Sequence, residues 1–209
     1  MPALFFIVAL SIPCAWLLLL PSNLTDFARS VLAVSTFWSN ILFWTETGYF
    51  DTAGTLKPLL HTWSLAVEEQ FYILFPLILL MAWRFGRRGL ILTLACIFVI
   101  CLAAAQWTAY HSPAAAFYLL PTRGWELVLG ALIAIYLQDS GGVSGKAWLS
   151  LAGLGLILFS VFVFSDKTPS PSLSTLVPDC GTALIILFTS PQTAAYRLLT
   201  HKWLWRRPH

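Results

Sequence analysis

Seven apolar runs follow one another along the chain, at residues 3–20, 28–44, 63–83, 90–107, 124–137, 147–164 and 181–188. They leave few choices of fold. A helix that crosses a bilayer needs about 20 mostly apolar residues, and several of these runs reach ~17–21. Backbone amides cannot be left unpaired in hydrocarbon, so each run must close its hydrogen bonds on itself. A β-barrel is excluded, because its strands would alternate polar and apolar residues. The expectation is an all-α polytopic transmembrane helix bundle with six to seven membrane segments, the runs at 124–137 and 181–188 being the shortest. Composition agrees: 10% of residues are charged, against about 25% in soluble domains.

Outside the runs no stretch is long enough to bury a core of its own, so residues 1–209 read as one membrane domain without a soluble domain. No basic segment precedes the run at 3–20, which argues against a cleaved signal peptide. Cys14, Cys96, Cys101 and Cys180 sit in or beside apolar runs with no CxxC spacing and no nearby histidine. They read as buried free thiols, and no metal site is expected. A net charge of +3 with no basic run among exposed aromatics excludes a nucleic-acid partner. Residues 139–145 and 165–174 are loops by their Gly, Pro and Ser content.

Lys and Arg favour the cytoplasmic side of a membrane. If all seven runs cross and the 63–83 helix exits into the cytoplasm, nine of them fall inside: Arg29, Arg84, Arg87, Arg88, Lys146, Arg197, Lys202, Arg206 and Arg207. Only Lys57, Arg123 and Lys167 remain outside. The run at 28–44 carries Ser30, Ser35, Thr36, Ser39 and Asn40, and a re-entrant path there would flip everything upstream of it.

One stretch carries chemistry. His61-Thr62-Trp63-Ser64-Leu65-Ala66-Val67-Glu68-Glu69-Gln70-Phe71-Tyr72 places a histidine and two adjacent carboxylates at the start of an apolar run. Ionisable groups at the edge of hydrocarbon cost several kcal/mol unless paired or used. At about 100° per residue, His61, Leu65, Glu68 and Tyr72 share one stripe, with Glu69 beside it. Such a stripe would turn a base, an acid and a hydroxyl toward the bundle interior; the alternative is a juxtamembrane cluster that anchors the helix end. Further along, Arg123 and Glu126 are three residues apart, close enough to pair on one helix face.

The segment Lys57-Pro58-Leu59-Leu60-His61 through Tyr72, followed by Phe75-Pro76, resembles the signature of the acyltransferase-3 family. These are bacterial integral-membrane O-acyltransferases that acetylate lipopolysaccharide, peptidoglycan and other surface glycans. Gly48-Tyr49-Phe50-Asp51, residues 117–127 and Gly181-Thr182-Ala183-Leu184 fit the same pattern, and Pro2-Ala3-Leu4-Phe5-Phe6 is similar to the family's third helix. The family also has a functional histidine in its first helix, an arginine ahead of it and an Arg-rich cytoplasmic loop, none of which this sequence contains. By resemblance, then, the chain corresponds to the middle of such an enzyme, in a bacterial inner membrane.

The resemblance implies acyl transfer from a coenzyme A thioester, with acetyl-CoA as donor and no bound cofactor, to a hydroxyl of a glycan or lipid-linked sugar. That reaction needs a base for the hydroxyl proton and donors for the oxyanion. On this reading the catalytic candidates are His61, Glu68 and Glu69, and the substrate-binding ones are Trp63, Ser64, Gln70, Tyr72, Arg123, Trp125 and Glu126. Each has a plainer reading: carboxylates paired with Lys57 or Arg123, an interfacial histidine bonded to a carbonyl, belt aromatics, and a helix-start ion pair. Arg123 could hold a coenzyme A phosphate or an anionic glycan through its planar fork. Two other classes compete: a proton-coupled transporter or flippase, which the absence of a visible repeat disfavours, and an inactive fragment that needs a partner chain.

Overall fold

The computed structural model describes residues 2–47, 58–139, 145–165 and 168–200. Gly48-Tyr49-Phe50-Asp51, Lys57, Lys167 and residues 201–209 lie outside the described residues. The described chain is all-helical: α1 Pro2–Leu18, α2 Pro21–Ser35, α3 Ser39–Glu46, α4 Thr62–Trp83, α5 Gly86–His111, α6 Pro113–Tyr118, α7 Leu120–Asp139, α8 Ala147–Val163, α9 Leu176–Phe188 and α10 Ala194–Leu199.

Of the expected six to seven segments, three are long and apolar enough to cross a membrane: α4, α5, and α6 with α7. At 1.5 Å per residue the 22 residues of α4 rise ~33 Å and the 26 of α5 ~39 Å, enough for a hydrocarbon layer of about 30 Å. Pro2–Leu18, Ala147–Val163 and Leu176–Phe188 are shorter apolar helices. The run at 28–44 is not one helix. It breaks between α2 and α3 at Phe37, whose φ of 58° lies in the left-handed region. The polar residues noted there explain the break: Ser35 and Thr36 turn their hydroxyls back onto the Val31 and Leu32 carbonyls, and Asn40 bonds away from its own helix.

Two apolar clusters hold the helices. One gathers Leu4, Val8, Ala15, Phe27, Val34 and Leu59 from α1, α2 and the approach to α4. The other gathers Phe71, Ala82, Leu90, Leu94 and Val128 from α4, α5 and α7. Arg87 at the start of α5 pairs with Asp139 at the end of α7. These two closely packed helices are therefore antiparallel, with Arg84, Arg87 and Arg88 at one end of the bundle and the start of α4 at the other.

The closest helix pair is α8 with α9, and the reason is glycine. A Cβ on Gly153 would come within 2.6 Å of the Gly181 carbonyl oxygen, and one on Gly181 within 2.7 Å of the Gly153 carbonyl oxygen. Small residues let backbones approach in this way where no hydrophobic force drives helices together in lipid. The cysteines depart from expectation. Cys14, Cys96 and Cys180 are exposed and Cys101 half-buried, because they lie on outward helix faces, where an apolar thiol suits lipid as well as a core.

Candidate functional site

The start of α4 is fixed by polar groups drawn from α3 and the break before it. Ser39 Oγ donates to the Thr62 carbonyl at 3.1 Å. Asn40 and Gln70 bond each other through both amides: Gln70 Nε2 donates to Asn40 Oδ1 at 2.8 Å, and Asn40 Nδ2 faces Gln70 Oε1 at 3.4 Å. Gln70 Nε2 also donates to the Phe37 carbonyl at 2.8 Å, and Asn40 Nδ2 to the Tyr118 carbonyl at 3.1 Å. Asn40 is 1% exposed, so this network satisfies an amide that would otherwise be costly to bury. It ties α3, α4 and the end of α6 into one frame.

The second wall of the site comes from α6 and α7. Leu119 is extended, which ends α6, and Pro121 falls in the first turn of α7, where its missing N–H does no harm. Thr122 Oγ1 donates to the carbonyls of Ala116, at 2.8 Å, and Leu119, at 2.7 Å, locking the corner. The next residue, Arg123, is thereby aimed at α4.

Arg123 is the centre of the arrangement. Its guanidinium carbon lies 4.7 Å from the Trp63 ring centroid and 4.8 Å from that of Phe117. The two rings are 4.4 Å apart and tilted, and Tyr118 meets Trp63 edge-on. Nε donates to the Phe117 carbonyl at 2.8 Å, and one terminal nitrogen is 3.9 Å from Glu126. The expected helix-face pair of Arg123 and Glu126 is present. A guanidinium over aromatic faces gains about 0.5–2 kcal/mol, more as water is excluded. Asp179, in the first turn of α9, is half-buried and lies within electrostatic range of both Arg123 and Glu126.

A cleft of about 80 Å³ opens beside this stack, lined by Trp63, Ser64, Val67, Glu68, Arg123, Glu126 and Leu127. It has room for a few water-sized groups. Five of the ten residues singled out in the sequence meet there: Trp63, Ser64, Glu68, Arg123 and Glu126. An apolar trough of about 210 Å³ continues along the same face of α4 past Phe71, Leu74, Phe75 and Ile78.

The other five are placed differently. The stripe of His61, Leu65, Glu68 and Tyr72 does not face the interior: His61, Glu68 and Tyr72 are exposed, and the residues that α4 buries around them are Ala66, Val67 and Phe71. The side chains that α4 buries are small or apolar, which leaves the charged stripe outward. His61 precedes α4 and does not line the cleft; its carbonyl accepts from Ser64 Oγ at 3.3 Å. Glu69 is half-buried beside Glu68. Gln70 is a structural amide in the network above rather than a group offered to a ligand. Trp125 is 0% exposed, edge-on to Phe98, so the expected substrate contact gives way to a core position on the far side of α7.

Sequence reasoning missed Asn40 as a framework residue and Asp179 as a neighbour of Arg123. Each had a signal, a lone amide or acid within an apolar stretch, but no spacing rule connects α3 to α4 or α9 to α7. Among the described residues no group of three or more His, Cys, Asp or Glu is placed to hold a metal ion.

Comparison with known proteins covers nearly the whole chain. A family model described as an acyltransferase domain matches residues 1–206. An uncharacterized protein of Haemophilus influenzae is 33% identical over 202 residues, covering 90% of this chain and 82% of that protein. The peptidoglycan O-acetyltransferase OatA of Listeria monocytogenes is 31% identical over 184 residues, covering 82% of this chain and 29% of that protein. The O-acetyltransferase OatA of Staphylococcus aureus is 27% identical over 168 residues, and this chain spans 28% of its length. No solved structure matches.

Proposed function

The chain belongs to the acyltransferase domain family, and from that premise we propose that it serves a membrane O-acyltransferase acting on a cell-surface glycan. The donor is a coenzyme A thioester, acetyl-CoA in the simplest case. The acceptor is a hydroxyl of lipopolysaccharide, peptidoglycan or a lipid-linked sugar, and the setting is a bacterial inner membrane crossed several times. The observation that carries this reading is the cleft, where Trp63, Ser64 and Glu68 of the signature meet Arg123 and Glu126 of a second segment.

In the reaction the acceptor oxygen attacks the thioester carbonyl carbon, the hydroxyl proton passes to a base, and the carbon–sulfur bond breaks to release the coenzyme A thiol. Glu68, at the cleft mouth, accepts the acceptor hydroxyl's hydrogen bond and sets its direction. Trp63 supplies an apolar wall and Arg123 fixes Glu126 beside it. His61 and Glu69, outside the cleft lining, take part only through groups brought to that face. Arg84, Arg87 and Arg88 favour the cytoplasm for their end of the bundle, and on this reading the cleft lies toward the outer face.

The test is acetyl transfer from labelled acetyl-CoA into membrane glycans by cells making the full-length enzyme. Glu68→Gln keeps shape and loses charge. We expect it to insert normally and to lower transfer by about a hundredfold, the lower end of what a positioned proton-transfer group contributes. Unchanged transfer in that variant would remove Glu68 from the chemistry.

A further inference from the structure

The charge and shape of the cleft narrow its ligand, granted the acyl-transfer reading above. Among the described residues the lining holds one cation, Arg123, and two carboxylates, Glu68 and Glu126. Asp179 adds a third carboxylate within electrostatic range, on a helix that packs against α7. The cation is already engaged: two aromatic rings cover it, Nε is bonded to the Phe117 carbonyl, and a terminal nitrogen faces Glu126. A guanidinium grips phosphate or carboxylate best through a free two-pronged fork. An anion arriving here would find that fork partly used and the carboxylates repelling it. Hydroxyls and ammonium groups, by contrast, donate hydrogen bonds that carboxylates accept. The small volume admits the end of a sugar rather than a cluster of phosphates.

We propose that the cleft between α4 and α7 is an acceptor subsite selective for neutral or amino-bearing sugars, held by Glu68 and Glu126, and that it refuses phosphate- or carboxylate-bearing groups. Arg123 is then a positioning residue that holds Glu126 in place, and the donor's phosphates bind elsewhere. This replaces the expectation that Arg123 grips a coenzyme A phosphate or an anionic glycan.

The experiment measures binding directly, with the full chain in lipid nanodiscs and three probes: methyl glucoside, methyl glucosaminide and glucose 6-phosphate. The first two should bind with the phosphate at least tenfold weaker. Asp179→Asn and Glu126→Gln should each narrow that gap, by up to about tenfold for one unit charge a few ångströms away in a partly screened cleft. Glu126→Gln and Glu68→Gln should also weaken the glucosaminide. Phosphate binding as tight as the neutral sugar, a gap unmoved by both charge removals, or binding by none of the three overturns the proposal. A chain that discriminates as expected but transfers no acetyl group would sink the acyl-transfer reading and leave the cleft's selectivity standing.

Discussion

The two halves of α4 are held by different physics. Its first turns are tied by hydrogen bonds of set length and direction: Ser39 to the Thr62 carbonyl, Asn40 to Gln70, Gln70 to the Phe37 carbonyl. From Phe71 onward it is held by apolar contact with α5 and α7. Apolar packing is strong in sum but weakly directional, whereas an amide pair loses its bond when misaligned. The polar half therefore fixes where Trp63 and Glu68 stand. The apolar half keeps the helix in the bundle without specifying its rotation so tightly.

That contrast can be broken by substitution. Phe71→Ala, at the head of the apolar half, removes a ring stacked 4.8 Å from Phe75 and 9% exposed. It should lower stability by about 3 kcal/mol, read as a lower unfolding midpoint in detergent, while the surviving folded fraction keeps its activity. Gln70→Ala should cost less, about 1–2 kcal/mol, yet depress acetyl transfer more per unit of stability lost. In a double-mutant cycle with Asn40→Ala, the pair should show clear coupling, because each change orphans the other's amide. Additive losses would mean that the pair does not act as a unit. Arg87→Ala should do least. Its link to Asp139 is 51% and 40% exposed, and such pairs are worth about 0.5 kcal/mol or less.

Much of this was legible in the sequence, and the limits have a physical cause. Apolar runs announced α4, α5 and α7, and the spacing of Arg123 and Glu126 announced their pairing. Periodicity also grouped His61, Glu68 and Tyr72 correctly on one stripe. It could not say which side of α4 its neighbours would take. That was decided by the residues α4 buries, Ala66, Val67 and Phe71, and by the Gln70 amide, whose partners lie 30 and 33 residues away. Trp125 is buried by the same logic: two residues from Arg123 on a helix is the opposite face. The break at Phe37 was foreshadowed only by the polar content around it.

The glycine contact between α8 and α9 bears on the membrane itself. With backbone against backbone at Gly153 and Gly181, neither helix can slide or splay without opening a gap that no side chain would fill. In a bilayer the pair therefore acts as one stiff strut, and a short one: 17 and 13 residues rise only ~26 and ~20 Å. In the same chain α5, at ~39 Å, is long enough to tilt within a full-thickness layer of about 30 Å. A strut this short that crossed the layer would require the lipid beside it to thin, or residues at its end such as Trp148 and Lys146 to reach for the interface. Such mismatch would make one flank of the bundle sensitive to acyl-chain length, with partition between short- and long-chain lipids as its observable signature.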